Sequence, residues 1–150
     1  MAGKEMAVAE ARDFLAQARW GRLATNGPDG PYITPLHYVL EGDRLYFHCA
    51  LRRGRKLDNL SHDNRVCFEV SEMLEIKEHA NPCKFTTGYK SVLAFGTAEL
   101  VDDSKEKARI LNLLAGKYSS TGAYEPVTEE QGGAVAVLVL KIEQLSGKTA

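Results

Sequence analysis

Residues 21–40 read GRLATNGPDGPYITPLHYVL: two β-prone runs on either side of the turn-rich hexapeptide NGPDGP. The β-branched and aromatic residues of YITPLHYVL suit a strand, and a connection this short admits only an antiparallel return. The stretch therefore predicts a hairpin. Glu41-Gly42-Asp43 supplies the next turn, and RLYFHCA follows as a third strand, with Leu45, Phe47 and Cys49 on one face and Tyr46 and His48 on the other.

Upstream, Val8, Ala11, Leu15 and Ala18 recur at three- and four-residue intervals, which predicts an amphipathic helix. Downstream, KLDNLSHDN reads as a short helix, and RVCFEV alternates as a strand. Ser71 to Thr86 reads as a strand end and a loop, after which YKSVLAFGTAELV resumes the strand pattern, with Gly96 marking a bulge or close approach. Asp103 and Glu106 fit a capping box ahead of a helix with Ala108, Leu111, Ala115 and Tyr118 on one face. SSTGAYEPVTEEQGG reads as a loop, and AVAVLVLKI as a strand buried on both faces. About six strands and two substantial helices, with no repeat and no linker, predict one domain over residues 1–150 built on a mostly antiparallel barrel or curled sheet.

Nineteen Lys and Arg balance twenty Asp and Glu, for a net charge of -1, which argues against a nucleic-acid binder driven by counterion release. Three cysteines without CxxC spacing argue for a reducing compartment, so the cytoplasm is the expectation. No run approaches the roughly 20 apolar residues of a membrane span, and no export signal is expected at the start.

Against that neutral background Arg52, Arg53, Arg55 and Lys56 cluster around Gly54 where a strand hands over to a helix. Guanidinium forks and free helix-start amides can converge on a phosphate there; a solvated turn is the competing reading. His48 sits on the strand that ends at this cluster, either as a proton carrier beside a bound molecule or as a structural hydrogen-bonder. His37 is a second candidate on the neighbouring strand. His62 and His79 fall in polar, solvent-facing surroundings. Cys49 should face the core as an inert thiol. No histidine stands at a metal-binding spacing, no GxSxG or GxGxxG occurs, and the terminal SGKT lacks both the first glycine and the helix of a P-loop.

GRLAT, PYITPLHYVL, LYFHCA, GRKLDNL with RVCFEV, and YKSVLAFGTAEL stand in an order that resembles the pyridoxamine 5'-phosphate oxidase-like FMN-binding split barrels, and most of all their 5-nitroimidazole resistance (Nim) branch. The similarity runs from about Gly21 to Tyr118. It implies a mainly β fold with flanking helices, a six-stranded antiparallel split β-barrel, and a homodimer with FMN at the subunit interface. It further implies that Arg55 and Lys56 grip the FMN phosphate, that Ile33, Thr34, Pro35 and Leu36 line the ring largely through backbone, and that Phe47, His48 and Cys49 flank the ribityl chain and ring. Lys90 and Ser91 match a segment that reaches the flavin from the partner subunit.

The chain ends in SGKTA, without the extended basic segment by which the oxidases hold pyridoxal phosphate. Vitamin oxidation is therefore not expected. The resemblance instead implies an FMN-dependent oxidoreductase acting on a small organic molecule, with nitroimidazole or nitroaromatic reduction as one candidate reaction and His48 as the candidate catalytic residue. Three alternatives stay open: a non-enzymatic flavin binder, a haem binder using His37, His48 or His62, and a deazaflavin-dependent reductase.

Overall fold

A computed structural model describes residues 3–150 of the chain. The predicted hairpin is present as β2 (Gly21–Gly27) and β3 (Gly30–Leu36), with Gly27 paired to Gly30 across a two-residue turn. Gly30 takes φ +98°, a conformation that side-chain-bearing residues resist, so glycine serves the turn there. The remaining elements are β1 (Lys4–Glu5), α1 (Val8–Gln17), β4 (Val39–Glu41), β5 (Arg44–Cys49), α2 (Arg55–His62), β6 (Arg65–Lys77), β7 (Thr86–Leu100), α3 (Ser104–Tyr118), α4 (Glu129–Gly132) and β8 (Ala136–Thr149).

The strands form one antiparallel sheet in the order β3-β2-β6-β7-β8-β5-β4, with β1 on the end of β8. Its two edges, β3 and β4, are joined in sequence by only His37 and Tyr38, so the sheet must curl until the edges meet. The chain is thus a mainly β split barrel with flanking helices. The strand count is eight rather than six because YITPLHYVL breaks at that corner into β3 and β4, and because two N-terminal residues add to β8.

Leu45 and Phe47 of β5, Leu138 and Leu140 of β8, Phe68 of β6 and Tyr38 fill the barrel, and all are fully buried. Phe68 meets Tyr38 and Phe47 edge-on, with ring centroids 4.7 and 5.0 Å apart. Tyr46, Val137 and Val139 point outward instead, beneath Ile110 and Leu114 of α3. A sheet covered on both faces explains the unbroken apolar run of β8.

Several local expectations are corrected. Val8 is 65% exposed, because at the first position of α1 it stands clear of the wall that Ala11 and Leu15 cover. Asp103 caps α3 through the amide of Lys105, but Glu106 turns to Arg109 rather than back to the cap, so no box forms there. The box occurs at α4, where Thr128 and Gln131 cap each other inside the expected loop. Ile110 and Leu114 are the buried centre of α3, while Leu111, Ala115 and Tyr118 border a cavity. β6 runs on to Lys77, and its last stretch exposes Met73, Leu74 and Ile76 and so carries no alternation.

Candidate functional site

Strand pairing leaves the seam of the barrel open. β4 pairs with β5 only as far as Tyr46, so Phe47, His48 and Cys49 have no partner on that side, and the outer edge of β3 is unpaired as well. Between these edges lies a cavity of about 180 Å³ lined by Tyr32, Thr34, Cys49, Arg52, Arg55 and Lys56.

The first turn of α2 closes one end of the cavity. Its first helical hydrogen bond is Asp58 N–H to the Gly54 carbonyl at 3.1 Å, which leaves the amides of Arg55, Lys56 and Leu57 without a helical acceptor. Gly54 is the N-cap and brings no side chain to them. Arg53 turns away to Asp58 and Ser61 of α2, at 3.1 and 2.8 Å. Arg52, Arg55 and Lys56 remain around the cavity, and the Arg55 guanidinium lies 4.8 Å above the Tyr32 ring. Tyr32 was not anticipated, since only the hairpin register brings it opposite α2.

Thr34 Oγ1 is buried without a hydrogen-bond partner, alone in this respect among the described residues. Leaving such a hydroxyl unpaired costs about 1–3 kcal/mol, so a ligand group that pairs with it would recover that energy. Cations, free amides and an orphaned hydroxyl in one cavity fit a phosphate-bearing ligand with a polar, hydrogen-bonding body.

The expected site residues separate into groups. Thr34, Cys49, Arg55 and Lys56 share the cavity. Leu36 and Phe47 bury their side chains in the barrel, so only their backbone faces the seam. Ile33 is 61% exposed and Pro35 is also exposed, both outside the lining. Lys90 borders a different, larger cavity of about 510 Å³ with Arg19, Trp20 and Glu72, so this chain does not carry Lys90 or its neighbour Ser91 to Arg55.

His48 points to the α3 side of the sheet. Its Nδ1 lies 2.9 Å from Nε2 of His37, and both rings line a cavity of about 260 Å³ with Leu111, Leu114, Ala115, Tyr118 and Val127. Burial, then the charge of Lys117, lowers the His37 pKa below 6.5; burial, His37 and Lys56 lower that of His48. Tyr118 pins the corner by accepting the Tyr38 amide at 2.9 Å. Lys117 donates to the Ala18 carbonyl at 2.7 Å over the Tyr38 ring, and burial lowers its pKa to about 8. His62 is exposed at the far end of α2, away from this pair.

A curled antiparallel sheet with an anion-ready cavity in its open seam is the arrangement of a ligand-binding split barrel. Residues 7–149 match the pyridoxamine 5'-phosphate oxidase family, and the chain belongs to that family. An FAD-binding protein of Mesorhizobium loti is 25% identical, with 100% of this chain and 99% of that one aligned at a TM-score of 0.74. A flavocytochrome of Azotobacter vinelandii is also 25% identical, with 96% of this chain and 67% of that one aligned at 0.84. A candidate 5-nitroimidazole antibiotic resistance protein of Bacteroides thetaiotaomicron shares the fold at a TM-score of 0.80, 23% identity, and 99% and 89% coverage.

Proposed function

We propose that this protein binds FMN in the seam and reduces a small organic molecule as a homodimer. One observation carries the reading: Arg52, Arg55, Lys56, the free amides of α2 and the unpartnered Thr34 hydroxyl meet in one cavity. Arg55 and Lys56 would hold the phosphate. Thr34 and the free β3 backbone from Ile33 to Leu36 would meet the ring, with the Phe47–Cys49 edge opposite. The flavin would supply the electron transfer, recharged by a reduced nicotinamide nucleotide or another reductase. The FAD-binding relative supports a flavin and makes the dinucleotide the competing form.

A second copy is part of the proposal. The cavity of about 180 Å³ is smaller than the roughly 300–1,000 Å³ of small-molecule sites, which supports further walls contributed by a partner. Lys90 and Ser91 of a second copy are proposed to provide them. His48 is the candidate catalytic group, with its backbone on the seam edge and its ring in the cavity beneath α3, where it would meet a substrate rather than the ring of the flavin.

Absorption and mass spectra of the cofactor released from purified protein, with FMN added if the preparation is colourless, test the reading. Stoichiometric FMN supports it. FAD would keep the flavin and correct its form, whereas a Soret band, a deazaflavin or no cofactor would overturn it.

A further inference from the structure

Away from the seam and the histidine pair, the cavity of about 510 Å³ at the end of α1 falls within the roughly 300–1,000 Å³ of small-molecule sites. Local constraints on the chain build it. α1 stops at Gln17, and Lys117 of α3 ties down the turn that follows by donating to the Ala18 carbonyl at 2.7 Å. Gly21 then lies against the Phe68 ring with no room for a Cβ. The chain is held on both sides of Arg19 and Trp20, whose side chains stay outside the barrel, exposed. Across the cavity Glu72 of β6 and Lys90 of β7 are register partners and so project from one face of the sheet. Phe14 of α1 and Leu74 of β6 supply apolar wall.

The charges of this cavity are unspent. Among the described residues neither Arg19 nor Lys90 forms an ion pair, and Glu72, although opposite Lys90, forms none either. The Arg19 guanidinium stands 5.0 Å from the centre of the Tyr118 ring, and Lys117 Nζ lies 5.2 Å from the same ring. These two cations crowd each other, since the charge of Arg19 adds to burial in lowering the Lys117 pKa. An anion beside them would relieve that repulsion.

We infer that this cavity binds a flat aromatic carboxylate, with its ring against Trp20, Phe14 and Leu74 and its carboxylate between Arg19 and Lys90. Trp20 is 53% exposed and offers an indole face for offset stacking. Arg19 brings a planar fork that matches a carboxylate, and Lys90 a point charge. Glu72 turns the anionic end away from itself and can accept from a hydroxyl or amino group on the ring. The site is complete within one chain and does not rest on the flavin reading. Lys90 is the residue that reading lends to a second copy, so a bound acid and a partner's flavin would compete for it.

Trp20 is the one tryptophan of the chain, so its fluorescence reports on this cavity. The test titrates cofactor-free protein with 4-nitrobenzoate, whose nitroaryl ring quenches indole, and with the uncharged 4-nitrobenzamide, each corrected for its own absorption. The acid should quench saturably, and the amide should bind about 10-fold more weakly or worse. Arg19→Ala and Lys90→Ala should each weaken the acid about 10-fold while leaving the amide unchanged, and Lys90→Arg should restore most of the affinity. Quenching that does not saturate, equal affinity for acid and amide, or a Lys90→Ala variant that binds like the wild type would overturn the site. A shift of Trp20 emission with protein concentration that shuts out the acid would give the cavity to a second copy and overturn it as well. FMN takes no part in this titration, so a seam that binds no FMN would leave these results as expected, and an acid that fails to bind would leave the flavin reading standing.

Discussion

The Thr34 hydroxyl is a place where folding and binding ask for different residues. Valine would fill nearly the same space without an unpaired oxygen, so Thr34→Val should stabilise the cofactor-free protein by about 1 kcal/mol while weakening FMN binding. Thermal unfolding with and without FMN checks both signs; an equal shift in the two would show that the hydroxyl meets no ligand. Arg55 and Lys56 are proposed to hold the phosphate. If each makes a charge-assisted bond worth about 1.5–3 kcal/mol, Arg55→Ala with Lys56→Ala should weaken FMN at least 100-fold by fluorescence titration. Unchanged affinity would remove the phosphate assignment. The histidine pair sets a pH dependence. Both pKa values lie below 6.5 in the fold and near 6.5 when unfolded, so the unfolded chain binds more protons in the window between. Stability should therefore decline as pH falls through 6.5, and urea midpoints at pH 7.5 and 5.5 should converge in a variant with His37→Leu and His48→Leu. An equal decline in that variant would place the pH sensitivity elsewhere.

At the scale of the elements, Gly96 shows how tightly β7 and β8 are set. A Cβ there would collide with the Lys141 carbonyl at the point where the register shifts between Phe95 and Gly96. Gly96→Ala should therefore destabilise by about 2–3 kcal/mol, as overpacking against backbone does, with urea denaturation as the measurement. A loss below 0.5 kcal/mol would mean that the strands slide apart freely. This bulge was legible because a glycine interrupts an otherwise regular strand pattern. The hairpin was legible for the same kind of reason, since NGPDGP separates two β-prone runs. The β6–β7 extension was not, because Met73, Leu74 and Ile76 are all exposed and leave no alternation to read. The basic cluster around Gly54 announced the cationic lining of the seam cavity, whereas Tyr32 and the His37–His48 bond depend on pairings between distant strands that no local pattern encodes. The split of YITPLHYVL at Tyr38 was hidden likewise, because the residue that turns the corner is itself apolar and buried.

At the scale of the whole molecule, the proposal stands on two copies, and the surface indicates where they would meet. Met73, Leu74 and Ile76 are 66%, 51% and 57% exposed along one outlying strand, and Leu74 also borders the cavity that holds Lys90. Apolar side chains grouped in this way mark an interaction surface. If a second copy covers them and brings Lys90 and Ser91 to the flavin, assembly and cofactor binding are one linked equilibrium. Met73→Glu with Ile76→Glu should then turn a dimer into a monomer by sedimentation, and the same variant should lose FMN although Arg55, Lys56 and Thr34 are untouched. FMN affinity of the wild type should rise with protein concentration through the dimerisation range, and added FMN should tighten the dimer by the same factor. A wild-type monomer saturated with FMN, or a monomeric variant that keeps full affinity, would show that one chain builds the entire site. The seam would then have to open beyond its present 180 Å³ to admit the ring.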